Sequence, residues 1–347
     1  MAEAGDPARP AWRLRAKRML AGRMAAALWR LRRAPVQVLR AERAERADRR
    51  AGRIHPPGPR RREVQSVFCF AAGPGSGAAL LDSIESVLAS DGEAGAVLVV
   101  DDASVDAREA VVRERFPGAE VIRRRRPSGG PPNVWPLLAQ GIEHALERYD
   151  FRQWVKMDTD ALVCGPAFSA VTLERWDQAP GAGLAGSWRV RCDGAPEDHA
   201  YHAEVLSREM RGDRLVAAAV SRAEAQGWRR GEIVQGGTCC VTREACDALV
   251  RQGWTAWRRP WHSAIAGDAA LSLFVRAAGF EFLSLGHPQG IVAIANKRLP
   301  LAKEEIADGP WVAAHSVRCG SDGESEAELR EFFRARRAEW PEAGAGG

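Results

Sequence analysis

Seven residues, Ser66-Val67-Phe68-Cys69-Phe70-Ala71-Ala72, run without a charge or a helix breaker. A run of that length and character suits a strand buried on both faces of a parallel sheet, since neither face meets water. Gly73-Pro74-Gly75-Ser76-Gly77 ends it, and apolar residues then recur at helical spacing through Leu80, Leu81, Ile84, Val87 and Leu88. The alternation continues. Val97-Leu98-Val99-Val100 closes on Asp101-Asp102, followed by a helix over 106–116, a strand at Glu120 to Arg123, a helix over 133–148 and a strand ending at Asp158. This order predicts an α/β fold, a doubly wound, mostly parallel sheet flanked by helices, with ligands outside the carboxyl ends of its strands. The glycine turn, Asp101-Asp102 and Asp158-Thr159-Asp160 all fall at such ends.

Asp158 and Asp160 stand one residue apart where an apolar run stops, so the strand period puts both carboxylates on one side of the backbone. Paired oxygen donors of this kind suit a hard divalent cation, Mn²⁺ or Mg²⁺, which shares its remaining positions with substrate phosphates. The same spacing also serves to cap turns and helices.

Further along, Ala182 to Val190 reads as a strand and 199–226 as one polar helical stretch. A glycine turn, Gln235-Gly236-Gly237, enters a strand through Val241. A helix through Ala245, Leu249 and Val250 leads to Trp254, Trp257 and Trp261, whose flat faces suit a sugar or a core. Gly267-Asp268 opens an apolar helix to Ala278, where Asp268 is also placed to act as a helix cap. A strand at Phe280 to Leu283 follows, and Val312-Ala313-Ala314-His315-Ser316 puts a histidine after a small apolar run.

The charge is uneven. Residues 1–62 hold 18 Lys+Arg against 5 Asp+Glu, a net of +13, and the other 285 residues hold 32 against 40, a net of −8. The body is therefore mildly acidic, and no nucleic-acid partner is expected. Residues 11–33 carry Leu20, Met24, Ala27, Leu28 and Leu31 at helical spacing among arginines. Such a basic amphipathic helix suits an anionic membrane surface, with docking on the protein's own body as the other option. The expected organisation is a basic helical extension and linker over 1–62, a folded domain over 63–320, and a C-terminal helix with a flexible tail over 321–347. The seven cysteines include no CxxC pair, which argues against a zinc site or disulfide framework. With no apolar run near the ~18 residues of a membrane span and no signal-peptide core, a cytoplasmic location is expected, peripheral on the inner face of the membrane if residues 11–33 bind lipid.

Taken in order over residues 64 to 318, these features resemble the GT-A fold glycosyltransferases, and the bacterial family 2-like members in particular. They are the first strand, Val99-Val100-Asp101-Asp102-Ala103-Ser104, Asp158-Thr159-Asp160, the glycine turn at 235–237, Gly267-Asp268 and His315. The resemblance implies a metal-dependent transfer of a sugar from a nucleoside-diphosphate sugar to a glycan, lipid-linked or protein acceptor, with inversion. It assigns Ala71, Ala72, Asp101, Asp102 and Asp158 to the nucleotide sugar, and Asp158, Asp160 and His315 to the metal. Asp268 becomes the catalytic base, and Gln235, Gly236, Gly237, Trp257 and Trp261 the acceptor site. The family's paired acid has Gly267 in place of its first member.

Two other enzymes remain open at this stage. Gly73-x-Gly75-x-x-Ala78 with Asp101 fits the fingerprint of an NAD(P)-dependent Rossmann oxidoreductase. Asp158-x-Asp160 after an apolar strand fits a haloacid-dehalogenase-like phosphatase, although the Gly-Thr that should follow is absent. An adaptor built on the basic arm would leave the strand-end acids without a role.

Overall fold

The structure is a computed structural model that describes residues 61–73, 77–104, 108–124, 134–257 and 263–340. The basic stretch 11–33, the rest of 1–60, Gly75, Trp261 and the tail at 341–347 lie outside these residues.

The charge-free runs form adjacent strands of a seven-stranded sheet. Its strands are β1 (Ser66–Ala72), β2 (Gly95–Asp101), β3 (Glu120–Arg123), β4 (Gln153–Met157), β6 (Ala182–Gly186), β7 (Thr238–Thr242) and β8 (Glu281–Ser284), in the spatial order β8-β6-β7-β4-β1-β2-β3. All pairs are parallel except those of β7, which runs against both β4 and β6. The registers Ala72↔Asp101 and Phe70↔Met157 bring the ends of β1, β2 and β4 to one edge. Because β7 is antiparallel, its entry lies at that same edge, and the Asp158 N–H donates to the Gly237 carbonyl at 3.0 Å.

Helices cover both faces. They are α1 (Gly77–Asp91), α2 (Arg108–Arg115), α3 (Trp135–Arg148), α4 (Phe168–Asp177), α5 (Ala200–Glu209), α6 (Arg214–Ala225), α7 (Arg243–Arg251), α8 (Gly267–Ala278), α9 (Lys303–Asp308) and α10 (Glu326–Arg337). Trp154 packs into one core with Trp135, Trp257 and Phe274. Val155 and Met157, pointing the other way, join Phe68, Phe70, Ile84 and Phe168 in a second. That alternation is the strand period at work. A small second sheet joins β9 (Val292–Ile294), β10 (Ala313–His315) and β5 (Leu162–Val163).

Two elements depart from the sequence expectation. The single helix over 199–226 is two, because Asp213 leaves helical geometry to cap α6, accepting from the Leu215 and Val216 N–H groups at 2.9 and 3.3 Å. The strand expected to reach Val190 ends at Gly186, after which Trp188, Val190 and Pro196 form only isolated bridges.

Candidate active site

Asp158 and Asp160 follow β4 directly, and the small sheet brings His315 to them. β5 starts two residues after Asp160, and β10 pairs against it with Ala314 opposite Leu162. His315, next along β10, therefore arrives beside the acids, and the Val317 N–H donates to the Asp160 carbonyl at 3.0 Å. His315 Nε2 lies 3.4 Å from Asp160 Oδ2 and 3.8 Å from Asp158 Oδ2. The three side chains each offer a ligand atom within 4.8 Å of the others, a group able to hold a metal ion. Two carboxylates and an imidazole could hold a divalent cation such as Mn²⁺ or Mg²⁺. His315 Nδ1 is buried and has no hydrogen-bond partner among the described residues, and it is Nε2 that faces both acids.

Asp160 is the more heavily held acid. Its Oδ2 accepts from Ser316 Oγ at 2.7 Å and lies 2.8 Å from Arg318 Nε. Burial alone would raise its carboxyl, but His315, Ser316 and Arg318 together hold it well below the usual carboxylate range. The Arg318 side chain is 65% exposed, so it is a surface partner that a cation can displace at little cost.

Lys156 is one residue that the sequence reading did not single out. Its side chain is only 3% exposed, and Nζ lies 2.8 Å from Asp158 Oδ1 and 3.1 Å from Asp268 Oδ1 while donating to the Gly236 carbonyl. Burial opposes the charge, yet Asp158 and Asp268 outweigh it and hold the ammonium above its ordinary range. A lone charge inside a fully buried strand, two residues before an acid and on the same face, was the available signal.

Asp268 belongs to this group and not to a helix cap. It is the second residue of α8, whose N-cap is Ala266, and its carboxylate turns to Lys156. Its side chain remains 30% exposed. Gly236 and Gly237 explain how these groups approach: a Cβ on Gly236 would collide with the Asp268 carboxylate, and one on Gly237 with the His315 ring. Gln235, beside them, donates to Glu197 at 2.9 Å, and Glu197 also accepts from Ser187 Oγ. His202, unnoticed in the sequence, is close enough to feel the Asp268 charge, although burial still lowers its imidazole below the usual value.

At the ends of β1 and β2, Ala71 is half-buried and Ala72 buried. Asp101 is 1% exposed. It accepts from the Ser104 N–H at 3.2 Å and from Ser104 Oγ, with Arg108 and Arg123 each 3.7 Å away. Asp102 lies 3.9 Å from Arg124. Trp257 corrects the acceptor expectation: it is 2% exposed, edge-on to Phe274, and its indole donates to Asp213 at 2.9 Å. It therefore offers no face to a sugar. A cleft of about 370 Å³ lined by Phe151, Arg152, Trp176, Gly181 and Phe280 contains none of the candidate residues.

An α/β body with a two-carboxylate, one-imidazole cluster at the carboxyl edge of its sheet is thus the class that fold and site define. No family model matches the chain, and no curated protein does. Among solved structures it is similar to the mannosyltransferase PcManGT from Pyrobaculum calidifontis in complex with GDP-Man and Mn²⁺, at 17% identity and a TM-score of 0.38. That match covers 76% of this chain and 64% of the other, so this chain spans under two thirds of that length. It is similar to S. aureus TarS 1–349 at 12% identity, covering 64% and 58% with a TM-score of 0.39. Glucosyl-3-phosphoglycerate synthase from Mycobacterium tuberculosis, in complex with Mn²⁺, UDP and glucosyl-3-phosphoglycerate, matches at 18% identity, 65% and 71% coverage and a TM-score of 0.34.

Proposed function

We propose that this chain is a glycosyltransferase that uses Mn²⁺ or Mg²⁺ to move a sugar from a nucleoside-diphosphate sugar to an acceptor hydroxyl, with inversion. One observation carries the proposal: Asp158 is shared between the Asp158, Asp160 and His315 cluster on one side and the Lys156 bridge to Asp268 on the other. A metal-ligand group and a partly open carboxylate thus face each other across one acid. When bound, a divalent cation supplies Lewis-acid neutralisation of the charge that grows on a departing diphosphate.

The chain's own residues do the rest. Asp158, Asp160 and His315 hold the cation. Lys156 anchors the partly exposed Asp268 side chain, and that carboxylate takes the acceptor's proton as the hydroxyl oxygen attacks the anomeric carbon and the bond from that carbon to the diphosphate breaks. Ala71, Ala72 and the Asp101-Asp102 turn, at the same edge, form the nucleotide side, and Gln235 to Gly237 the acceptor side. An oxidoreductase would leave Lys156, Asp160, Asp268 and His315 without work. Residues 11–33 supply a membrane contact for a lipid-linked acceptor. The test is release of nucleoside diphosphate from a panel of nucleotide sugars, with Mn²⁺ and with chelator. Metal-dependent release from at least one donor supports the proposal; stabilisation by NAD(P) without metal, and no release from any donor, refutes it.

A further inference from the structure

Thr159, between the two metal-cluster acids, is held from the far end of the chain. Its carbonyl accepts from Arg330 Nη2 at 3.1 Å, across 171 residues. The same guanidinium donates Nη1 to Asp82 Oδ2 at 2.9 Å and to the Ala79 carbonyl at 3.3 Å, and Nε to Glu326 at 2.9 Å. Arg330 and Asp82 are both buried. Ser83 Oγ also reaches the Thr159 carbonyl at 3.0 Å, but it lies 2.9 Å from the Ala79 carbonyl and 2.7 Å from that of Ala161. One hydroxyl proton serves one of these three at a time.

The helix that presents Arg330 is independently anchored. A capping box between Ser325 and Glu328 starts α10. Leu329 and Phe333 are buried in an apolar cluster with Leu299, Ile306 and Trp311. Arg330, Arg334 and Arg337, spaced along one helical face, all reach Asp82 on α1. Of the three, Arg330 is the one whose guanidinium also donates to Thr159. Arg330 faces two carboxylates, Asp82 and Glu326, each at 2.9 Å, so what reaches the acid pair is an N–H of fixed direction more than a free cation.

We propose that α10 is a positioning element of the metal site, in which Arg330, seated on Asp82, fixes the Thr159 peptide and with it the relative placement of the Asp158 and Asp160 carboxylates. The inference rests on the metal reading of that cluster. A loop that is already ordered gives up less conformational entropy when a cation binds. Removing an outer contact of this kind costs roughly 10- to 100-fold in metal affinity.

The test titrates Mn²⁺ into the full chain and follows free Mn²⁺ by electron paramagnetic resonance, with melting temperatures measured alongside. Arg330→Met and Arg330→Lys should each bind Mn²⁺ roughly 10- to 100-fold more weakly than wild type. Lysine keeps a cation on Asp82 but, as a compact point charge, does not reproduce the planar fork, so it carries the test if the methionine variant fails to fold. Arg337→Met, which breaks a buried contact to Asp82 with no link to Thr159, should lower the melting temperature and leave Mn²⁺ affinity unchanged. Folded Arg330 variants that bind Mn²⁺ like wild type would overturn the proposal. So would an equal loss in Arg337→Met, which would mark general docking of α10 as the cause. A wild-type chain that binds no Mn²⁺ would overturn the metal reading itself and this inference with it.

Discussion

Replacing Lys156 with methionine removes the cation between Asp158 and Asp268 while keeping most of the stem's apolar volume. Nζ lies 2.8 Å from one carboxylate oxygen and 3.1 Å from the other, so those oxygens are at most about 6 Å apart and, unbridged, repel by about 3 kcal/mol at an effective dielectric of about 20. The two acid side chains are 35% and 30% exposed, and solvent screening reduces the cost to about 2 kcal/mol. At about 2–4 °C per kcal/mol, that is a fall of about 4–8 °C in melting temperature. A second effect separates this account from a simple packing defect. Mn²⁺ restores positive charge beside Asp158, so added Mn²⁺ should raise the melting temperature of Lys156→Met by more than that of wild type. Turnover should fall by up to roughly 10²-fold, because Asp268 loses the partner that orients it. Differential scanning fluorimetry with and without Mn²⁺, followed by a turnover assay, makes the comparison. A variant that melts like wild type, gains nothing extra from Mn²⁺ and turns over normally would refute the bridge.

Other outcomes follow from the same geometry. Asp268→Asn should lower turnover by roughly 10²- to 10⁴-fold with little change in donor affinity; a small rate loss with a lower melting temperature would deny it the role of base. Glu120, bonded to His144 at 2.6 Å and Tyr149 at 2.8 Å, has its carboxyl lowered from 4.5 to about 2: burial pushes it up, but His144, Tyr149 and Arg148 prevail. A depressed carboxyl stabilises the fold above its unfolded value and loses that contribution as pH falls towards the folded value. The stability gap between wild type and Glu120→Gln, measured by urea unfolding, should therefore be largest above about pH 5 and shrink between pH 4.5 and 2; a gap independent of pH would mean the charge contributes nothing. The full chain should sediment with anionic liposomes at low salt and release at high salt, whereas a chain beginning at Glu63 should not bind; equal behaviour of the two would remove the membrane role of residues 11–33.

Much of the framework was legible because its signals are local. Ser66–Ala72 is a strand with the boundaries its charge-free run predicts, and the strand expected at Glu120 to Arg123 is found with those bounds. The split at Asp213 was missed because the residue's capping competes with an otherwise continuous helical pattern, and the pattern alone does not say which wins. At the site, the sequence supplied Asp158 and Asp160 as a pair, but their contact with His315 depends on β10 pairing with β5 across about 150 residues. Lys156 has a near partner in Asp158, but its bridging role depends on Asp268 and the Gly236 carbonyl, which are remote in the chain. Trp257 was misjudged for the same reason: its burial depends on Phe274 and Asp213, and an indole carries no local mark of which face will be covered. Arg330 carries no local mark of its role, since only the docking of α10 on α1 turns it toward Thr159.

The central claim is that Asp158, Asp160 and His315 bind a divalent cation that in turn receives a nucleoside diphosphate. Calorimetric titration of a panel of nucleoside diphosphates into wild type and Asp160→Asn, each with and without Mn²⁺, tests it most directly. The account predicts binding by wild type with Mn²⁺, and at least a tenfold loss, about 1.4 kcal/mol, when either the metal or the Asp160 carboxylate is removed. Equal affinity in all four combinations, or no binding in any, would contradict it.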